Sequence, residues 1–412
     1  MAAVSLKVAG LFAGIGGLEL GMASSGHHAQ LLVENSSAAM HVLRRRFPDT
    51  KLEADVRDVL SLPKGTDLVV AGFPCQDLSS VGRKAGIVGA RSSLVGEVLR
   101  LLDGADVPWV VLENVPFLIS LGKGAALRLV TTALTELGYR WAYRVVDTNA
   151  FGLPQRRNRW YLVGSRVGDP RDVLLADDRS KPAVTVDYPD VACGFYWTEG
   201  MRSFGWAVDA VPPIKCGSSV GVPSPPAIRL PSGAYVTPDL RDTERLQGFP
   251  IDWTAPAEEV ARPGERWRMV GNSVSVPVAA WIGRRLAAPG RYDSSSDAPW
   301  TGAKWSRRGA WADLDGVVHV ADVGPWPVWE PRPPLVDFLE YPGKPLSARA
   351  ATGFLRRTQK GSLRFPEGFV EELTNYADRV PTTSACSPAS TAPTGWSSRR
   401  SATAAAARRR CS

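Results

Sequence analysis

The chain has 412 residues, 49 Lys and Arg against 41 Asp and Glu, a formal net charge of +8 and five cysteines. Its 44% hydrophobic and 22% charged content excludes a wholly disordered chain, and its length allows two or three domains with a sizeable core. The five cysteines (75, 193, 216, 386 and 411) and four histidines (27, 28, 41 and 319) are scattered, which argues against a disulfide framework or a zinc site, so no metal is expected. Apolar runs fall short of the roughly 20 residues that span a bilayer, and the N-terminus lacks a signal pattern. A cytoplasmic protein with no membrane partner is therefore predicted.

In chain order, Val8–Phe12 is predicted as a strand, followed by a Gly-rich turn and a helix over Gly17–Ala23. Strands are predicted at Ala29–Glu34, Leu52–Val56, Asp67–Ala71, Trp109–Leu112, Trp141–Asp147 and Trp160–Gly164. Helices are predicted over Ser36–Phe47, Arg91–Leu102 and Gly124–Leu137. This alternation predicts an α/β fold with a mostly parallel sheet covered on both faces. From Ser165 to about Val236 proline and glycine are dense, and an irregular insert is expected. Helices return at Pro238–Gln247 and Ser275–Leu286. Residues 288–334 are rich in Trp and Pro, and a basic helix capped by Ser347 is expected over Ala348–Lys360. Arg356, Arg357 and Lys360 on it read either as phosphate contacts or as the solvated face of an accessory helix. Beyond residue 379 the composition collapses to Ala, Ser, Thr, Pro and Arg, which predicts disorder.

Several strand ends carry residues suited to chemistry. In LFAGIGG (Leu11–Gly17) glycines after the first strand permit close approach of a ligand, and Glu34 ends the second strand where a carboxylate can accept ribose hydroxyls. Asp55 ends the third and could meet an adenine amine. The pattern fits a nucleoside cofactor or a tight structural turn; Glu19 occupies the third glycine position of the dinucleotide fingerprint, which disfavours NAD. GFPCQDLSS places Cys75 after the fourth strand behind Pro74, as an activated thiol or a core cysteine. Glu113 in LENV is a general acid with a burial-raised pKa or a capping carboxylate. Arg157 and Arg159 in QRRNRW suit a phosphate or base carbonyl, or form a solvated charge run. RLQGFP (Arg245–Pro250) and GNSV (Gly271–Val274) are weak signals in isolation.

In this order and spacing the six segments resemble the bacterial and phage C5-type cytosine-specific DNA methyltransferase family, over roughly residues 7–286. The resemblance implies a Rossmann-like methyltransferase domain with S-adenosylmethionine as methyl donor, double-stranded DNA as partner, a target base flipped out of the duplex, and a GNSV helix packed beside the first Gly-rich loop. By the same resemblance Cys75, Glu113, Arg157 and Arg159 are catalytic. Phe12, Gly14, Ile15, Gly16, Gly17, Glu34, Asp55, Pro74, Asn272 and Ser273 hold the donor. Gln76, Ser79, Gln155, Arg156 and Arg245 meet DNA. The implied organisation is a catalytic domain over 1–164, a short target-recognition region over 165–236, a return to the catalytic domain over 237–287, an extension without assigned role over 288–378, and a tail over 379–412. A monomer is expected, with or without a separately acting restriction endonuclease. The RNA-methylating branch, a non-catalytic DNA-binding regulator and, more distantly, a nicotinamide oxidoreductase are the competing readings.

The charge has a simple origin. Residues 379–412 contain six arginines and no acid, leaving a net of only +2 on the preceding 378 residues. Deleting 379–412 is expected to leave DNA methylation largely intact in a methyl-incorporation assay; loss of most activity would contradict this.

Overall fold

The computed structural model describes residues 4–74, 94–183, 186–218, 225–302 and 304–380. Cys75, Gln76, Ser79 and nearly all of the Arg-rich tail lie outside them. The first half of the chain runs β1 (Lys7–Leu11), α1 (Gly17–Ala23), β2 (His28–Val33), α2 (Ser37–Arg46), β3 (Lys51–Glu53), β4 (Leu68–Gly72), α3 (Leu94–Asp103), β5 (Trp109–Asn114), α4 (Ala125–Glu136), β6 (Arg140–Asp147), β7 (Asn158–Ser165) and α5 (Pro170–Leu174). There follow β8 (Cys193–Phe195), β9 (Ala207–Val208), β10 (Ala227–Arg229), β11 (Tyr235–Thr237), α6 (Leu240–Leu246), α7 (Glu265–Asn272) and α8 (Val276–Ala287). The C-terminal part adds β12 (Ala298–Pro299), β13 (Gly309–Ala312), β14 (Val318–Val320), α9 (Leu335–Phe338), β15 (Lys344–Pro345), α10 (Ala348–Thr358) and α11 (Phe369–Arg379).

Ten strands form one sheet in the order β12-β14-β13-β6-β7-β5-β4-β1-β2-β3. Strands β3, β2, β1, β4 and β5 are parallel. Their apolar runs are buried on both faces, as a covered parallel sheet requires. Strand β7 enters antiparallel between β5 and β6, and β13 adds antiparallel to β6. The sheet is thus parallel in one half and antiparallel in the other, rather than mostly parallel throughout. One face packs α3 and α4 through Val98, Leu102, Leu127 and Val130, and the other packs α1, α5 and α8 through Met22, Leu174, Val278 and Ile282. Because β1 pairs with both β2 and β4, the order reverses beside it, and the carboxyl ends of β1, β2, β4 and β5 open on one crevice where ligands of open α/β sheets bind.

The stretch Pro116–Glu136 has 21 residues and a mean hydropathy of 1.4, so one segment does reach bilayer-spanning length and apolarity, contrary to the sequence expectation. Non-helical dihedrals at Leu121–Lys123 break it, and Leu127, Val130 and Leu134 of its second part sit in the sheet core.

The C-terminal extension does not fold as one separate piece. Residues 298–320 continue the central sheet, whereas β15 pairs with β11 in a second, five-stranded sheet ordered β15-β11-β10-β8-β9. On that sheet α10 and α11 bury Phe354, Phe369 and Leu373 against Phe195, Phe204 and Tyr235. The second lobe is therefore built from two segments far apart in sequence. The Arg229 guanidinium pairs with Glu372 at 3.0 Å, and the Tyr376 hydroxyl donates to the carbonyls of Tyr235 and Leu346.

The α1–α8 contact is especially close. A Cβ on Gly21 would collide with Ala279 and approach the Ala280 nitrogen to 2.7 Å, so only glycine lets the two helices meet here. His27 holds the same junction, its Nδ1 accepting from the Leu6 N–H and its Nε2 donating to the Gly283 carbonyl. In an exposed helix Gly→Ala normally gains stability. Gly21→Ala is expected instead to cost about 1–3 kcal/mol through overpacking, read as a lower midpoint in thermal unfolding.

Candidate active site

The Gly-rich loop after β1 is shaped by positive φ angles at Phe12 (56°), Gly14 (57°) and Gly16 (82°). Four side chains hold it from outside. A Cβ on Gly16 would strike the Phe47 ring, and one on Gly17 would lie 2.9 Å from Val274 and 3.0 Å from Phe249. The Trp253 indole donates to the Ile15 carbonyl at 2.8 Å. Thus RLQGFP and GNSV, more than 230 residues away, close the back of the loop. Over Gly14 the space is open among the described residues, none of which, its chain neighbours aside, places an atom within 4 Å of where a Cβ would stand.

Glu34 sits at the rim of that opening. Its Oε2 accepts from the Gly14 N–H and its Oε1 from the Ser36 N–H, both at 2.8 Å. The carboxylate therefore ties two strand ends together and retains acceptor capacity for hydroxyl groups. Asp55 caps the turn after β3 and accepts from the Arg57 guanidinium and N–H, which hold its carboxyl down to about 2. Asn272 is exposed at the end of α7, and the Ser273 hydroxyl donates to the Val270 carbonyl.

Glu113 and Gly72 are register partners across β5 and β4, so the segment leading to Cys75 leaves the sheet beside this carboxylate. The Asn114 amide donates to the Phe73 carbonyl at 2.8 Å, pinning the backbone two residues before Cys75, with Pro74 exposed between them. Cys75 itself lies outside the described residues. Burial pushes the Glu113 carboxyl up, while Arg159 and then Arg157 pull it back; Arg159 Nε is 3.3 Å from Glu113 Oε1. Arg159 is part-exposed, and its guanidinium also donates to the Asn158 carbonyl. This edge combines a buried acid with a cation that remains within reach of a ligand.

The two arginines of QRRNRW divide their work. Arg157 is 1% exposed, and its guanidinium donates to the carbonyls of Ile214 at 3.1 Å and Ser273 at 2.5 Å. Burial and the neighbouring Arg159 pull its pKa down to about 9, still charged at neutral pH. Gln155, expected at the DNA, is fully buried; its amide donates to the Leu246 carbonyl and Gln247 Oε1 and accepts from the Ile214 N–H. Arg245 bonds Asp242, Glu340 and the Phe338 carbonyl. Internal partners thus engage the polar ends of these last two residues, which were expected at the DNA. Arg156 is exposed. Gln247 and Asn114 were missed as organising residues, although both lie inside motifs visible in the sequence.

Comparison with known proteins follows this geometry. The model of the C-5 cytosine-specific DNA methylase family matches residues 6–189 and 237–288. The Type II methyltransferase M2.BsuMI of Bacillus subtilis (strain 168) is 44% identical over 388 residues, covering 91% of this chain and 99% of that protein. The Type II methyltransferase M.AquIA of Picosynechococcus sp. is 33% identical over 180 residues, covering 39% of this chain and 73% of that one. Among solved structures, the Dnmt2 methyltransferase of S. pombe matches with a TM-score of 0.49 at 15% identity, covering 68% of this chain and 98% of that chain. The fold and the crevice are those of a methyltransferase. The chain belongs to the C-5 cytosine-specific DNA methylase family.

One buried group beside the crevice has no motif role. Glu19 of α1 is 2% exposed, and neither carboxylate oxygen has a hydrogen-bond partner. A Cβ on Gly10 would collide with it. Burial raises its pKa from 4.5 to about 8, with Glu34 adding to the shift. Between those values the folded state holds a proton that the unfolded chain has lost, so stability falls as pH rises through the window and levels off above it. Glu19→Gln is expected to flatten that dependence, raising the melting temperature more at pH 8 than at pH 5; equal shifts at both would contradict the assignment.

Proposed function

We propose that this protein methylates carbon 5 of cytosine within a specific duplex DNA sequence, using Cys75 as nucleophile and S-adenosylmethionine as donor. The observation that carries the reading is the Glu113–Gly72 register with the Asn114–Phe73 bond. Together they set the Phe73–Pro74 backbone, which leads into the PCQ segment, beside a buried carboxyl and a part-exposed arginine at the carboxyl edge of the sheet. The open space over Gly14, with Glu34 at its rim, fits the donor: acceptor oxygens are available for a ribose and there is no demand for a phosphate cradle. In this reading Phe12, Gly14–Gly17, Glu34, Asp55, Pro74 and the Asn272–Ser273 turn line the donor site. S-adenosylmethionine, when bound, supplies an electrophilic methyl group.

The cytosine ring is a poor nucleophile at carbon 5 until it is activated. The Cys75 thiolate bonds to carbon 6, and the displaced π electrons gather at carbon 5 and N3. Glu113, pushed toward its protonated form by burial, donates toward N3 and stabilises this charge, a contribution typically worth about 10²–10⁴ in rate. Arg159 holds the base carbonyl and steadies Glu113, while Arg157 acts as a positioning residue by fixing the Ser273 and Ile214 carbonyls. Carbon 5 would take the methyl group from the donor's sulfonium sulfur, which would keep the bonding pair and leave as a neutral thioether. Loss of the carbon 5 proton to a base then returns the electrons to the ring, breaks the carbon–sulfur bond and frees Cys75. The atoms involved are closed off in a stacked duplex, so the reaction requires an extruded base. Gln76, Ser79 and exposed Arg156 remain the proposed DNA contacts of this edge. Similarity to Type II methyltransferases supports a role in protecting sites from a separately acting endonuclease, and a monomer acting in the cytoplasm completes the proposal.

Cys75→Ser is expected to abolish methyl incorporation into duplex DNA. Wild-type protein with donor and DNA carrying 5-fluorocytosine at the target is expected to form a covalent complex on denaturing gels, because fluorine blocks the last deprotonation. No adduct at a site that is methylated in bisulfite sequencing would refute the mechanism.

A further inference from the structure

We propose that residues 344–364 form a phosphate-binding strip of the second lobe, in which Arg356, Lys360 and Arg364, with Arg202 beside them, contact the backbone of duplex DNA. The inference rests on the DNA-methylating reading above and assigns a role to a segment outside every family motif.

Composition is the first support. Residues 341–366 contain six basic side chains and no acid. A surface helix kept only for packing commonly pairs its cations with acids three or four residues away, and α10 has none to offer. Among the described residues, Arg356, Lys360, Arg364 and Arg202 are exposed and hold no ion pair or side-chain hydrogen bond. Among the described residues none of the acids of α11, Glu371, Glu372 and Asp378, forms an ion pair with them, and Glu372 is taken by Arg229 and by the Tyr188 hydroxyl.

The second support is placement. The strip is anchored to the lobe through Phe354 in its aromatic core, and the Gly361 backbone lies against Met201 so closely that a Cβ would not fit. The basic end of α10 therefore abuts the turn that carries Arg202. Arg357, the strip's one cation with described partners, donates to the carbonyls of Trp197 and Glu199 at 2.6 and 2.9 Å. Glu199 pairs with Lys215, whose ammonium lies 3.7 Å from the centre of the Tyr196 ring. The backbone of Lys215–Cys216 passes directly over Gly271, and the adjacent Ile214 carbonyl is held by Arg157. One continuous chain of contacts thus joins the strip to the catalytic edge. DNA entering that edge would lie against this lobe, and each phosphate met by a free cation releases counterions.

The test is the triple variant Arg356→Ala, Lys360→Ala, Arg364→Ala. Its control is Lys304→Ala, Arg307→Ala, Arg308→Ala, which removes equal charge from the segment that leads into β13 of the central sheet. Duplex binding is measured against salt, together with methylation kinetics. The strip variant is expected to bind about tenfold or more weakly at ~0.1 M salt, with the slope of log K against log salt reduced by about 2–3. KM for DNA rises and kcat stays within about twofold, while the control matches wild type. If the triple variant unfolds early in a melt, the single loop change Arg364→Glu gives the same readout. A strip variant with wild-type slope and KM, or one indistinguishable from a weakened control, overturns the proposal while methylation by the wild type stands. Wild-type protein that neither binds nor methylates duplex DNA overturns both readings.

Discussion

The Arg157 guanidinium is the constraint on which the arrangement depends. A charge almost wholly removed from water must be met by acceptors, and here they are the carbonyls of Ile214 and Ser273. Those carbonyls belong to the second lobe and to the GNSV turn, while Arg157 itself leads into β7. One buried cation thereby locks three segments separated by up to 116 residues. Gln155 and Gln247 extend the lock by bonding each other and the carbonyls of Leu246 and Val270. Loss of any partner would leave a desolvated polar group, so the network specifies a single arrangement of lobe and sheet.

The same economy shapes the crevice. Glu34 spends a hydrogen bond on each of two strand ends, and Gly16 and Gly17 admit Phe47, Val274 and Phe249 against the loop. Among the described residues the side over Gly14 stays open. At the other half of the crevice Glu113 is pushed toward its neutral form by burial while Arg159 remains at the edge. At 3.3 Å the Arg159 guanidinium opposes the effect of burial on Glu113, so the two act on the same carboxyl in opposite directions.

Much of this was legible in the chain. Helix α1 begins and ends where the Gly-rich turn and apolar spacing placed it, and Ser36 and Ser347 cap α2 and α10 as cap residues do. Motif residues Glu34 and Glu113 stand at strand carboxyl ends because a strand's termination is a local property of hydrophobic run and turn chemistry. The two arginines two residues apart could not be told apart from sequence. Their period suggested a common side, yet Arg157 precedes β7 and turns into the protein, whereas Arg159 lies within the strand at its open edge. The partners of Gln155 and Arg245 from distant segments were likewise not legible in their motifs.

The sequence by itself determined the elements, the Gly-rich loop, the catalytic motifs and the origin of the net charge, since each depends on neighbours a few residues apart. Tertiary structure decided which polar side chains are buried ties and which are free, where β7 inserts, and that the second lobe needs the C-terminal segment. Pairings such as Arg229 with Glu372 and Tyr376 with Tyr235 join residues more than 140 positions apart. Nothing in the local pattern of either segment specifies its partner; that is set only when both apolar faces are buried against each other.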